Sequence, residues 1–107
     1  MSVVFNMDAQ DRVAAFSDRH DLEGRPAYQA LDLASEVGEI AGDAAKSTTY
    51  GEHPEDLRVK RDELGDALFS LLSLCSSLDV NADEALDEAI EKYEQRIEAR
   101  GDPGSER

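Results

Sequence analysis

The chain has 107 residues, 40% of them hydrophobic, which is enough for one domain with a modest core. Its 25 acidic residues against 11 basic ones leave a formal charge of -14. Such a field repels nucleic acid polymers and anionic membrane, and no apolar run approaches the ~18 residues of a membrane span.

The sequence predicts a single all-α domain over 1–107 that is four-helix bundle-like. A first helix runs from about Asp8 to His20, with Val13, Ala14 and Phe16 as its apolar residues. A second starts near Pro26, a residue suited to a first helical turn, and continues to about Thr48. Pro54 opens the third in the same way, and its apolar pattern extends to about Leu78. Asn81 reads as the N-cap of a fourth helix over 82–100, with Glu84 three residues on as in a capping box. Gly101 ends that helix, and residues 102–107 form a polar, frayed tail.

Cys75 is the single cysteine and sits in an apolar helical stretch, so it reads as a core thiol. The opening Met1 to Phe5 is too short for the apolar part of a signal peptide, which points to a soluble, cytoplasmic protein. Most of the acids read as a solvated surface suited to high salt, where a Debye length of roughly 3 Å at 1 M screens their repulsion.

Two acidic pairs stand out. Glu36-Val37-Gly38-Glu39 lies in the second helix and Glu63-Leu64-Gly65-Asp66 in the third, each with the i, i+3 spacing that makes helical neighbours. Winding each helix at about 100° per residue puts both pairs on the same side of an apolar stripe. On the second helix that stripe is Ala30, Leu33, Ala34, Val37, Ile40, Ala41 and Ala44; on the third it is Leu57, Leu64, Ala67, Leu68, Leu71, Leu72 and Cys75. Antiparallel packing through these stripes brings equivalent flanks together. Glu39 and Glu63 are equidistant from Gly51, as are Glu36 and Asp66, so a hairpin turning there sets all four at one level. Ser70, Ser73 and Ser77 leave room along the same face.

Four anions so placed repel one another, at about 3 kcal/mol for a pair 5 Å apart with an effective dielectric of 20. A hard cation removes that cost. Spacing alone is equally satisfied by a solvated acidic face, since Glu39 lies further round its helix towards Asp32 and Asp43. If a metal binds, an all-oxygen ligand set suits Mg²⁺, or Mn²⁺, better than zinc, and neither His20 nor His53 lies in the motifs.

These segments, Leu33 to Ile40, Lys46 to Gly51 and Asp62 to Leu68, together with Glu84-Ala85-Leu86, Lys92-Tyr93 and Arg96, resemble the MazG-like nucleotide pyrophosphohydrolases. The resemblance covers roughly Pro26 to Arg100. It implies a MazG-type all-α fold, Mg²⁺, a homo-dimer or tetramer, and conversion of a nucleoside triphosphate and water to NMP and pyrophosphate in a house-cleaning role. It implies Glu36, Glu39, Glu63 and Asp66 as catalytic metal ligands. Lys92 and Arg96 would then reach the substrate's phosphates, with Tyr93 and Lys46 nearby. Ser35 departs from the pattern, because many members carry another acid just before the Glu36 position. The rival readings are a non-catalytic nucleotide-sensing or partner-binding module of the same fold, and a hydrolase of a phosphoribosyl nucleotide.

Overall fold

The computed structural model describes residues 8–22 and 24–104. Met1 to Phe5 and the last three residues of the tail lie outside them. Four α-helices account for the regular structure: α1 (Ala9–Arg19), α2 (Pro26–Ser47), α3 (Arg61–Ser77) and α4 (Ala82–Arg100). No strand occurs among the described residues, as the all-α reading requires.

The helix ends follow local chemistry. Asp8 caps α1 by accepting from the Asp11 N–H at 2.8 Å, and Asn81 caps α4 by accepting from Glu84 N–H at 2.9 Å. Pro26 opens α2 without a side-chain cap. Gly101 closes α4 in the left-handed region at φ +91°, where a side chain would be strained.

The third helix departs from the sequence reading. Pro54 opens only a 3-10 turn, Pro54–Asp56, and α3 starts at Arg61. Two α2 side chains fix the intervening segment: Ser47 Oγ accepts from Arg58 N–H at 2.8 Å, and Asp43 Oδ2 accepts from Lys60 N–H at 3.2 Å. The second bond caps α3 from outside its own sequence, which no local rule anticipates. Leu57 therefore lies outside α3 and is 55% exposed.

α3 packs against α2 on one side and α1 on the other, and α4 has no comparable packing against any of them. Phe16 and Phe69 join α1 to α3 edge to face, with ring centroids 5.8 Å apart. Gln10 ties α1 to the α3–α4 turn: its Oε1 accepts from Ala82 N–H at 2.7 Å, and its Nε2 donates to Val80 O at 2.8 Å and Ser76 Oγ at 3.2 Å.

The α2–α3 seam also differs from the apolar stripes. Its half-buried members are Gln29, Leu33, Glu36, Ile40 and Asp43 on α2, with Glu63, Ala67, Ser70 and Leu74 on α3. Val37, Leu64, Leu68 and Leu71 are instead exposed, at 51%, 51%, 52% and 44%. Both helices are rolled so that carboxylates enter the contact and much of the apolar stripe faces out. The chain exposes 8233 Å², whereas a monomer of its mass is expected to expose about 5,900 Å². Its radius of gyration is 17.1 Å, against roughly 13 Å for a compact domain of this length.

Replacing Gln10 with Ala strands the part-buried Ala82 N–H and frees the α3–α4 turn. The expected cost is about 1–2 kcal/mol, read as a lower urea midpoint with an unchanged slope.

Candidate active site

α2 and α3 run antiparallel, because successive α3 residues meet earlier α2 residues: Lys60 bonds Asp43, Glu63 feels Asp43 and Glu39, and Asp66 acts on Glu36. The four predicted carboxylates thus face one stretch of seam. Glu36 and Glu63 are half-buried within it, and Glu39 and Asp66 are exposed beside it.

Each buried member carries one side-chain oxygen, Glu36 Oε1 and Glu63 Oε1, that is enclosed and has no hydrogen-bond partner. Enclosed carboxylate oxygens without a donor are costly, and a cation is one group that relieves them. Burial, followed by the charges of Glu39, Asp66 and Asp32, raises the Glu36 pKa above its ordinary value. Glu63 is pushed up to about 7, first by its side-chain hydrogen bond with Asp43, then by burial and the Asp43 charge. Asp43 is held below its ordinary value by the same bond, by the Lys60 N–H and by the Lys60 and Lys46 charges. The pair therefore favours protonation of Glu63 over Asp43.

Among the described residues, no group of three or more His, Cys, Asp or Glu side chains is placed as a formed metal cluster. The all-oxygen donor set and its two unpartnered oxygens suit a hard divalent ion once Glu63 is ionised.

Asp43 was read from the sequence only as part of a solvated face. Its spacing from Glu36 and Glu39, seven and four residues, is the signal that places it on the seam. Lys46, Arg58 and Lys60 line a groove of ≈ 450 Å³ beside Asp43, a concentration of cations next to the acids. Arg58 joins this groove only because the segment before α3 is not helical and folds back on Ser47. Lys92 and Arg96 lie elsewhere, near the Tyr93 ring at 5.2 and 5.9 Å, and Arg96 also donates to Pro103 O at 3.2 Å. Neither acts on Glu36, Asp43 or Glu63. The His20 ring lies tilted against Phe16 with centroids 4.7 Å apart, and His53 Nδ1 lies 3.8 Å from Glu55 Oε2, so neither histidine joins the four predicted carboxylates.

The model of the MazG nucleotide pyrophosphohydrolase domain matches residues 27–100, a span that holds α2, α3, α4 and both acidic pairs. The chain belongs to the MazG family. It is also similar to the uncharacterized protein YpjD of Bacillus subtilis (strain 168), with 38% identity over 79 residues covering 70% of this chain and 69% of that protein. No solved structure matches it. The MazG family is one of nucleotide pyrophosphohydrolases that generally depend on a divalent metal. No helix among the described residues is long and apolar enough to cross a membrane.

The Glu63 shift sets a pH dependence for the metal-free protein. A carboxyl whose folded pKa is raised contributes stability below its unfolded value, and that contribution is lost as pH rises through about 7. Asp43 acts oppositely, losing its contribution as pH falls through its lowered value. With chelator present, thermal melting should therefore fall between pH 5 and 8, on a slope that Glu63→Gln flattens.

Proposed function

We propose that the chain is a Mg²⁺-dependent nucleoside triphosphate pyrophosphohydrolase that yields NMP and pyrophosphate and clears surplus or non-standard nucleotides from the cytoplasmic pool. The observation that carries this reading is the pair of enclosed, unpartnered oxygens on Glu36 and Glu63, within a chain of the MazG family. Glu36, Glu39, Glu63 and Asp66 would hold the ion, with Mn²⁺ as a substitute. A divalent ion there supplies charge neutralisation and polarisation of the phosphoryl group under attack.

The protein's own residues supply the rest. In this reading the Lys46, Arg58 and Lys60 groove receives the outer phosphates, since a triphosphate approaching a protein of charge -14 needs local cations. Glu63, whose carboxyl is pushed up to about 7, would release its proton to solvent as the site charges. Lys92 and Arg96 on α4, with Tyr93 beside them, would be a second cationic patch for the phosphates.

That last element bears on assembly. Leu86, Ile90, Tyr93 and Ile97 form an apolar stripe along α4 with exposures between 43% and 57%. Together with the exposed face of α2 and α3, it fits the roughly 2,300 Å² by which the surface exceeds that of a monomer. A stable interface needs about 800 Å² per partner, so the excess suits a homo-dimer or tetramer.

Pyrophosphate release from a panel of NTPs and dNTPs with Mg²⁺ tests the activity. Glu63→Gln is the informative variant, because its amide can still donate to Asp43 while losing the anionic ligand. It should keep the melting temperature near that of the parent and lower kcat/KM by more than about 100-fold. Wild-type release no greater than the variant's would leave a nucleotide-sensing module, the reading that Ser35 favours. Light scattering at micromolar concentration should give a multiple of 11.7 kDa, and a monomer would contradict the assembly.

A further inference from the structure

Beside the Phe16–Phe69 contact, an apolar groove of ≈ 450 Å³ runs between α1 and α3. Phe16, Leu68, Phe69 and Leu72 line it, and Arg12 and Arg19 border it on α1. At Gly65 an added Cβ would meet no atom within 4 Å, so that stretch of the α3 wall is open. The two arginines are exposed and stand about two helical turns apart, ~10.5 Å along one face of α1. Neither forms an ion pair among the described residues, and the Arg19 guanidinium lies 5.8 Å from the centre of the Phe16 ring.

The complementary surface is on α4. Winding that helix at about 100° per residue puts Leu86, Ile90, Tyr93 and Ile97 on one stripe. One border of the stripe is acidic, with Asp83, Asp87, Glu94 and Glu98. The other carries Ala85, Ala89, Lys92 and Arg96 and no acid. Asp87 and Glu94 repeat the spacing of Arg12 and Arg19, and Leu86 to Ile97 covers roughly 17 Å of helix, about the length of the 11-residue α1. No residue of α4 lines the groove of its own chain. Gln10 ties the turn that launches α4 to α1, and from there α4 runs on without packing against α1 or α3 as those two pack together.

We infer that each α1–α3 groove receives α4 of a second copy of this chain, with the Leu86 to Ile97 stripe in the groove and Asp87 and Glu94 against Arg12 and Arg19. The inference rests on the assembly part of the proposed function, names the faces that make it, and does not depend on turnover. Two copies of charge -14 repel each other, so apolar area alone does not select a contact; a local pairing of opposite charges sets its position and register. With the acidic border against α1, the alanine border faces α3, where small side chains let α4 approach the exposed Leu64 and Leu68 closely. Each copy offers one groove and one α4, so exchange in both directions closes a two-fold dimer.

The test is sedimentation velocity of the full chain at micromolar concentration and moderate salt. Two double variants, Arg12→Glu with Arg19→Glu and Asp87→Arg with Glu94→Arg, change only exposed side chains. Each alone sets like charges together in both grooves and should sediment as a smaller species than the wild type. The dissociation constant should rise by about 100- to 1,000-fold, because the two-fold axis makes every reversed pair count twice. Mixed in equal amounts, the two variants should recover the wild-type mass. The acidic groove of one then meets the basic α4 of the other, and the second groove keeps its native pairing. A misfolded variant could not be rescued in this way. Variants that assemble as the wild type does, or a mixture that stays dissociated, overturn the docking and leave the assembly reading in place. A wild type that is a monomer overturns both, as it would if the chain's own α4 closed the groove.

Discussion

The contact between α2 and α3 carries carboxylates at positions where a pair of packed helices ordinarily places leucines. Glu36, Asp43 and Glu63 share the seam with Leu33, Ile40, Ala67 and Leu74. Burying acid in this way is unfavourable unless each oxygen finds a donor or a positive charge. The structure answers part of the demand internally, with the Lys60 N–H on Asp43 and a side-chain hydrogen bond between Asp43 and Glu63. The part it leaves unanswered, on Glu36 and Glu63, is where a cation has most to offer.

Other features follow from that seam. Turning the acids inward leaves Val37, Leu64, Leu68 and Leu71 facing out, and α4 leaves a second apolar stripe beside them. A chain this acidic and this open gains little stability from a core in which Leu72 is the one buried hydrophobic residue among those described. Apolar burial contributes about 25 cal/mol per Å², so the exposed faces represent stabilisation that association would supply. Site and surface are in this sense one constraint: the helix rotation that brings the acids into the seam also turns the leucines out.

The seam also gives the site a direction. Cations lie at the Lys60 end, carboxylates in the middle, and amide, hydroxyl and aromatic groups at the Gln29 end. Charge on this scale is felt over about 8–10 Å at moderate salt, so the cationic groove is distinct from the acidic stretch of the seam even in a strongly acidic protein.

Much of this was legible in the residues themselves. Helical periodicity, Pro26, Asn81 and Gly101 set α1, α2 and α4 to within a residue or two, because those signals act through the local backbone. The acid–x–Gly–acid repeats identified the family as well as the candidate ligands. Tertiary structure alone decided where α3 begins, since its cap is the Asp43 side chain from seventeen residues away. It alone decided the rotation of the seam, for apolar periodicity says which residues avoid water but not whether a neighbouring helix or a second surface covers them. The hydrogen bond between Asp43 and Glu63, the Arg58 edge of the groove and the unpartnered Gln29 oxygen likewise arise from groups distant in the chain, whose meeting is fixed only when the helices pack.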